Sequence, residues 1–371
     1  MVKGNEMEEQ ERDEVMAKYQ VLADWIRQNI EDGMFRPGER LPSEQKFQEQ
    51  FEVSRQTVRK ALSVLEEAGI LRSRQGSGTF VVDREAEEQR KGRRIAVVTT
   101  YVDNYIFPGI IRGIESTLSE QGFQMQLAFT GNRLWREAEV LRDLLTQDLR
   151  GLIIETTKSA LPNPNLSLYR ELMARGIPIV FLNSRYPELG DCPMVALRDE
   201  EAGYLAAKHL ISCGHRRLGG LFKSDDGQGI RRYQGFMRGL WEAGIYDRER
   251  SMVWFDTEDA ADFPGMERKL VDYLGSCSGI LCYNDETAIK VMELLKRNGI
   301  LVPEDISIVS VDDTELALRG NVGLTSVGHP KGRLGEKAAE VLLSMIKNGL
   351  PGEDFGFEAR LSERDSVKKI W

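Results

Sequence analysis

The chain lacks any apolar stretch long enough to cross a bilayer, which excludes a membrane-spanning helix. Its 4 cysteines, Cys192, Cys213, Cys277 and Cys282, show no Cys-x-x-Cys spacing, and its 3 histidines, His209, His215 and His329, do not cluster with them. A metal site and a disulfide framework are therefore not expected, and reduced thiols fit a cytoplasmic setting. There is no Walker A loop and no Gly-x-Ser-x-Gly elbow, so neither a P-loop enzyme nor an α/β-hydrolase is indicated. Residues 1–17 are crowded with Glu, Gln and Arg and hold no apolar core. They read as a frayed tail and not as a secretory signal. Positive charge is scarce overall: 50 Lys and Arg stand against 59 Asp and Glu, a net charge of −9. A protein coated for nucleic acid over its whole surface is excluded.

That average hides a local reversal. Between Ser54 and Gly78 lie Arg55, Arg59, Lys60, Arg72 and Arg74, opposed only by Glu66 and Glu67. Phosphate attraction depends on local charge, so one basic face on an acidic protein suffices for DNA. The surrounding pattern names the device. Leu22, Trp25, Ile26 and Ile30 share one face of a helix predicted from about Lys18 to Asp32. Ser43 is placed to cap a short helix whose Phe47 and Phe51 face inward. Glu44 lies in its first turn, where the helix dipole favours a carboxylate. Ser54 caps the next helix, with a buried stripe of Val58, Ala61, Leu62 and Leu65. Two short strands then flank Gln75-Gly76-Ser77-Gly78. This is a winged helix-turn-helix, spanning residues 18–82.

Residues 83–94 read as a solvated linker. From Ile95 to the end, seven apolar strands alternate with eight amphipathic helices. The alternation predicts parallel α/β sheets, and the count exceeds one ordinary sheet, so residues 95–371 are expected to form two α/β lobes facing across a cleft. Ligands bind such sheets at the carboxyl ends of their strands. The polar residues there are Glu155, Asn183, Lys223, Asn284 with Asp285, and Asp312 with Asp313.

The words LPSE, VSRQTVRKAL, LEEAGIL and RQGSGTFV, in that order and spacing, resemble the GntR family of bacterial regulators. The rest resembles the LacI-type regulator core, itself similar to periplasmic sugar-binding proteins. It carries IIRGIE, GLIIE, DEEAGYLAAKHLISCGHRRLGGL, RYQGF, CYNDETAIKVMELLKRNGILVPEDISIVSVDD and LTSVGHPKGRLGEKAAEVLL. A GntR-type head on a LacI-type body is the arrangement of the AraR family of arabinose repressors, which this chain resembles also in TTYVDNYIFPGIIRGIES, ETTKSALPNPN and FKSDDGQGI.

The resemblance implies a homodimeric repressor that binds double-stranded operator DNA and is released by L-arabinose, with no membrane partner and no catalytic residue. In the head, Arg55, Gln56 and Arg59 point into the major groove from the start of the recognition helix. Ser54 and Thr57 suit phosphates. Gly76 and Gly78 let the wing tip approach the backbone or the minor groove, with Gln75 beside it. Arg40, Ser43 and Lys18 are further phosphate candidates, and Glu44 is a candidate acceptor from a cytosine amino group.

In the body, the LacI-type core implies Arg232 and Asp312 as the principal ligand contacts. Asn284 fits the cleft asparagine and His329 a crossover position. Glu155, Asn183 and Lys223 complete the polar set, while Tyr105 and Phe107 are candidates to stack on a sugar. Second readings stay open. Asp285 and Asp313 also suit loop ties, Asn284 a helix cap, His329 a hinge residue, Tyr283 core, and Arg198 and Asp199 a dimer surface or the cleft. Two other functions stay open as well: an enzyme carrying a DNA-binding head, and a DNA-binding protein with a disabled pocket.

Overall fold

The computed structural model describes residues 18–74, 78–83, 92–102, 106–246, 251–319 and 321–370. Gln75, Gly76 and Tyr105, residues 1–17 and most of the expected linker lie outside them. The chain divides into two units, one up to Gly92 and one from Arg93.

In the first unit, a helix covers residues 18–31 (α1). Ser43 and Ser54 then cap α2, Glu44–Phe51, and α3, Arg55–Glu67, each accepting a backbone N–H of the first turn. The turn between them closes at Glu52, a left-handed C-cap with φ of 52°. Leu22, Ile26, Phe47, Val58, Ala61 and Leu65 fill the core at 0% exposure, so the apolar stripes predicted for the three helices all face inward. β1, Leu71–Arg74, and β2, Gly78–Val81, pair antiparallel as the wing. Arg40 joins this ribbon through an isolated bridge to Phe80.

The second unit contains two six-stranded sheets. The first is built from β3 (Arg94–Thr99), β4 (Gln124–Phe129), β5 (Gly151–Glu155), β6 (Ile179–Leu182), β7 (Met194–Leu197) and β13 (Phe355–Phe357), in the order β13-β7-β6-β5-β3-β4. All its pairings are parallel. Arg94, assigned to the linker by composition, is the first residue of β3. The second sheet holds β8 (Leu218–Lys223), β9 (Met252–Phe255), β10 (Gly279–Cys282), β11 (Ser307–Asp312), β12 (Thr325–Gly328) and β14 (Leu361–Ser362), in the order β14-β12-β11-β10-β8-β9. Only β14 runs antiparallel to its neighbour.

Central strands are buried on both faces, as parallel sheets covered by helices require. In β3, Ile95 and Val97 enter one apolar cluster while Ala96 and Val98 enter another. The chain passes between the lobes three times: at Arg198, at His329–Pro330 and through residues 358–360. After the first passage, the helices Asp199–Ser212 and Gly227–Glu242 pack almost backbone to backbone. A Cβ on Gly203 would lie 1.9 Å from the Arg232 carbonyl oxygen, and one on Gly235 would lie 1.8 Å from that of Glu200. Glycine is required at this contact, and it brings Arg232 beside Asp199.

Candidate functional sites

The head presents its charge outward. The Arg55 and Arg59 side chains are 66% and 62% exposed, and Gln56 is exposed between them. Glu44 from α2 reaches both arginines. It accepts from Arg55 Nε at 2.9 Å and from Arg59 Nε at 3.1 Å. The Arg55 hydrogen bond, joined by Arg59 and opposed by slight burial, holds the Glu44 carboxyl below its ordinary range. One carboxylate thus fixes the aim of two guanidinium groups at the start of the recognition helix. Thr57 is buried, and its hydroxyl lies 2.8 Å from that of Ser54, so this pair closes the cap. Ser43 and Lys18 are exposed. Gly78 has φ of 106°, and a Cβ there would stand 2.6 Å from Arg40 Nε, so the Arg40 guanidinium lies over the wing at a spot only glycine leaves free.

In the second unit a cavity of about 360 Å³ lies between the lobes. Each sheet reverses its strand order at one point, and the loops above both points meet here. In the first sheet the reversal lies between β3 and β5, which bring Thr100 and Glu155. In the second it lies between β8 and β10, which bring Lys223, Tyr283 and Asn284. Phe107, Glu155, Lys223, Arg232, Asn284, Asp312 and His329 all line the cavity.

Arg232 is the hub. It is 3% exposed and donates from Nε to Asp199 Oδ1 at 2.8 Å, from Nη1 to the Tyr283 carbonyl at 2.6 Å and from Nη2 to Asp312 Oδ1 at 3.4 Å. Burial opposes its charge, but Asp199 and Asp312 outweigh it and hold the group more basic than usual. Its guanidinium carbon sits 4.9 Å from the Tyr283 ring centroid. Asp312 has φ of 103°, a conformation L-residues rarely adopt. Lys331 Nζ holds the carbonyls of Asp312 and Asp313 at 2.6 and 2.8 Å, and so fixes this strained turn.

Burial also opposes the Lys223 charge. Asp226, at 2.6 Å, and Asp225 outweigh it and keep the ammonium charged. Glu155 accepts from the Thr100 backbone N–H at 3.0 Å, from the Thr100 hydroxyl and from Asn183 Nδ2 at 2.9 Å. Burial pushes its carboxyl up. Asn183 does not line the cavity. It lies behind it, with φ of 61°, and joins Glu155 to His329 Nε2 at 3.3 Å. The other His329 nitrogen, Nδ1, is buried without a hydrogen bond in this structure, and burial pushes the imidazole down to about 4. His329 thus lines the cleft as a neutral ring.

The open alternatives divide as follows. Asn284 is both a cleft residue and a cap, accepting from Thr287 N at 2.9 Å. Asp285 is structural, taking Ser310, Ser326 and the Thr314 N–H and hydroxyl. Asp313 ties Arg364 at 2.7 Å and Ser362 at 2.7 Å. Asp199 belongs to the underside of the cleft, and the Arg198 N–H binds the Phe357 carbonyl within the crossover. Tyr283 lines the cleft and donates to Asp226. Residues the sequence reading missed include Tyr101, Asp226, Gln228, Phe255, Thr257 and Phe263. Tyr101 and Asp226 follow the ends of strong apolar strands by only a few residues, a signal that was available, whereas Thr257 follows the short β9. Phe107, Phe255 and Phe263 supply apolar surface suited to the C–H faces of a sugar.

Two family models match the chain: bacterial regulatory proteins of the gntR family over residues 18–81, and a periplasmic binding protein-like domain over residues 207–367. The arabinose metabolism transcriptional repressor of Geobacillus stearothermophilus is 40% identical over 97% of this chain and 100% of its own length. That of Halalkalibacterium halodurans is 38% identical over 89% of each. The solved structure of the transcriptional regulator CelR–cellobiose complex superposes with a TM-score of 0.65 at 24% identity, covering 85% of this chain and 91% of its own, and supports the fold alone. A winged DNA reader on a two-lobed ligand cleft, matched along its length by repressors of one kind, is a regulator and not an enzyme: the chain belongs to the family of arabinose metabolism transcriptional repressors.

Proposed function

We propose that L-arabinose is the effector, that it binds between the two lobes, and that its binding lowers the affinity of the head for operator DNA. The observation that carries this reading is the convergence of Glu155, Lys223, Arg232, Asp312 and His329 on one cavity from both lobes and a crossover. A pentose offers hydroxyls that both donate and accept, and these groups supply both complements around an apolar wall. A ligand gripped from both lobes favours their closed arrangement, and only such a preference lets it act at a distance. Arg55, Gln56 and Arg59 read bases in this proposal, while Arg40, Ser43, Lys18 and the wing residues Gln75, Gly76 and Gly78 meet the phosphate backbone. The chain acts as a cytoplasmic homodimer, because a two-fold operator needs two readers.

The test is calorimetry of the full chain against a panel of pentoses and hexoses, followed by operator mobility shifts with each binder. L-arabinose is expected to bind and to release operator. Asp312→Ala is expected to keep operator binding and lose release. Binding of a different sugar alone would remove arabinose and leave the repressor; an unaltered response in Asp312→Ala would remove Asp312 from the site. Sedimentation of a strict monomer with full operator affinity would remove the dimer.

A further inference from the structure

We propose that Asn132 and Lys158 of the first lobe, with Asp225 and Glu258 of the second, form a closing seam that sets how tightly any effector is held without touching it. The proposal rests on the cleft being an effector site. None of the four lines the cavity. They lie beside it, and every contact they make across the gap exists only while the lobes are together.

Asn132 is 1% exposed and spends its whole side chain on the seam. Its Oδ1 accepts from the Lys158 N–H at 2.7 Å, and its Nδ2 donates to Thr257 Oγ1 at 2.6 Å and to Asp226 Oδ1 at 3.3 Å. Lys158 Nζ donates to Glu258 Oε2 at 2.9 Å and lies 3.4 Å from Asp225 Oδ2. The next two residues continue the line. Ser159 Oγ accepts from the Gly227 N–H at 2.9 Å, and the Ala160 N–H donates to the Asp225 carbonyl at 3.2 Å. Asn132 and Lys158 hold φ of 54° and 45°, conformations that disfavour any side chain. Both are placed where that cost turns polar groups toward the other lobe.

The first lobe is braced to present this edge. Behind the loop that carries Lys158, the buried Glu137 carboxylate accepts from Asn163 and Asn165 at 2.8 Å each, from Tyr169 at 2.7 Å and from Tyr186 at 2.8 Å. Such a loop docks without first being ordered. The seam also meets the pocket indirectly: Asp226, which takes Asn132, also takes Lys223 and Tyr283. Free energy stored in the shut form adds to the affinity of every ligand that needs closure, and by the same factor for each.

That common factor is the signature. Calorimetry on the full chain would compare wild type, Lys158→Gln, Glu258→Gln and the double variant, using L-arabinose and every other panel sugar that wild type binds. Lys158→Gln is expected to weaken each sugar several-fold by one shared factor, and Glu258→Gln less. The double variant should be weaker than either single one but by less than the product of their factors, because the Lys158–Glu258 contact is shared while Lys158 also meets Asp225 and Glu258 also meets Arg133. Added salt should weaken wild type more than the variants. Unchanged affinities would overturn the seam. So would a changed ranking of sugars, which would make Lys158 a ligand contact. If wild type bound no sugar, the effector reading would fall by itself. The seam would then be read from the distance between fluorescent labels on the two lobes: Lys158→Gln must widen it in the effector-free protein, and an identical distribution would overturn the proposal.

Discussion

The head and the body use arginine in opposite ways. Arg55 and Arg59 stand in water, aligned by one partly exposed carboxylate, with their forks open. Arg232 is 3% exposed and already engaged by Asp199, Asp312 and a backbone carbonyl. The first arrangement keeps charge hydrated until a partner replaces the water. The second has met its desolvation cost during folding and holds the group rigid. A DNA reader gains from charge kept available, and a sugar site gains from charge fixed in place. In the proposed function the same residue therefore serves recognition in one unit and structure plus recognition in the other.

Removing the two kinds of arginine should break the comparison most sharply. Arg232→Ala leaves Asp199 and Asp312 buried without their cation, and breaking such a pair costs about 3–5 kcal/mol. Denaturation should show the body unfolding much earlier than in wild type, with the head transition unmoved. A body of unchanged stability would mean that the cluster is not the hub described.

Acid should separate the units next. All 3 histidines lie in the body. Burial depresses the His329 imidazole from its ordinary value near 6.5 to about 4, so its contribution is present above about 6.5 and is lost as pH falls toward 4. Asp312, Arg232 and Lys331 surround it and act on the same ring. Thermal melts over that window should show the body losing more stability in wild type than in His329→Gln. Equal losses would place the imidazole in a wetter site.

A smaller effect is expected from Arg59→Ala. It should leave the melting of the head nearly unchanged and cost specific operator binding about 1–3 kcal/mol, with random DNA much less affected. Equal losses on both DNAs, measured by fluorescence anisotropy, would make Arg59 a phosphate contact. The smallest effect belongs to Glu44→Gln. An exposed ion pair contributes about 0–1 kcal/mol to stability, so the melt should barely move. Specific operator affinity should still fall, because both arginines lose their aim. An unchanged operator affinity would reduce Glu44 to a surface charge.

The same contrast explains what could be read from the chain. The head is nearly contiguous. Its caps, the apolar stripes of α2 and α3, and Arg55 and Arg59 all fall between Ser43 and Gly78, so local rules suffice there. The body site draws on residues from Thr100 to His329. Arg232 and His329 came from the family resemblance, and among local rules only the strand-end rule pointed to any of the rest. It found Glu155, Lys223 and Asp312 because each ends a strong apolar run. It missed β7, β9, β12, β13 and β14, which have two to four residues each and no room for a periodic signal. The Gly227–Glu242 helix opens on Gly227 and Gly229, residues that carry no local helical signal. In the structure a Cβ on Gly229 would lie 2.0 Å from the Lys223 carbonyl oxygen, so this glycine serves packing, which no local pattern reveals. Asn183 was expected in the cavity and stands behind it, since its left-handed backbone turns the amide toward Glu155 and His329.

The central claim is that sugar in the body and operator at the head compete through one conformational equilibrium. Reciprocal titration tests it most directly: operator affinity with and without saturating L-arabinose, and L-arabinose affinity with and without saturating operator, on the full chain in one buffer. Linkage requires both affinities to fall by the same factor. Arabinose binding that is identical on free and operator-bound protein would contradict the account.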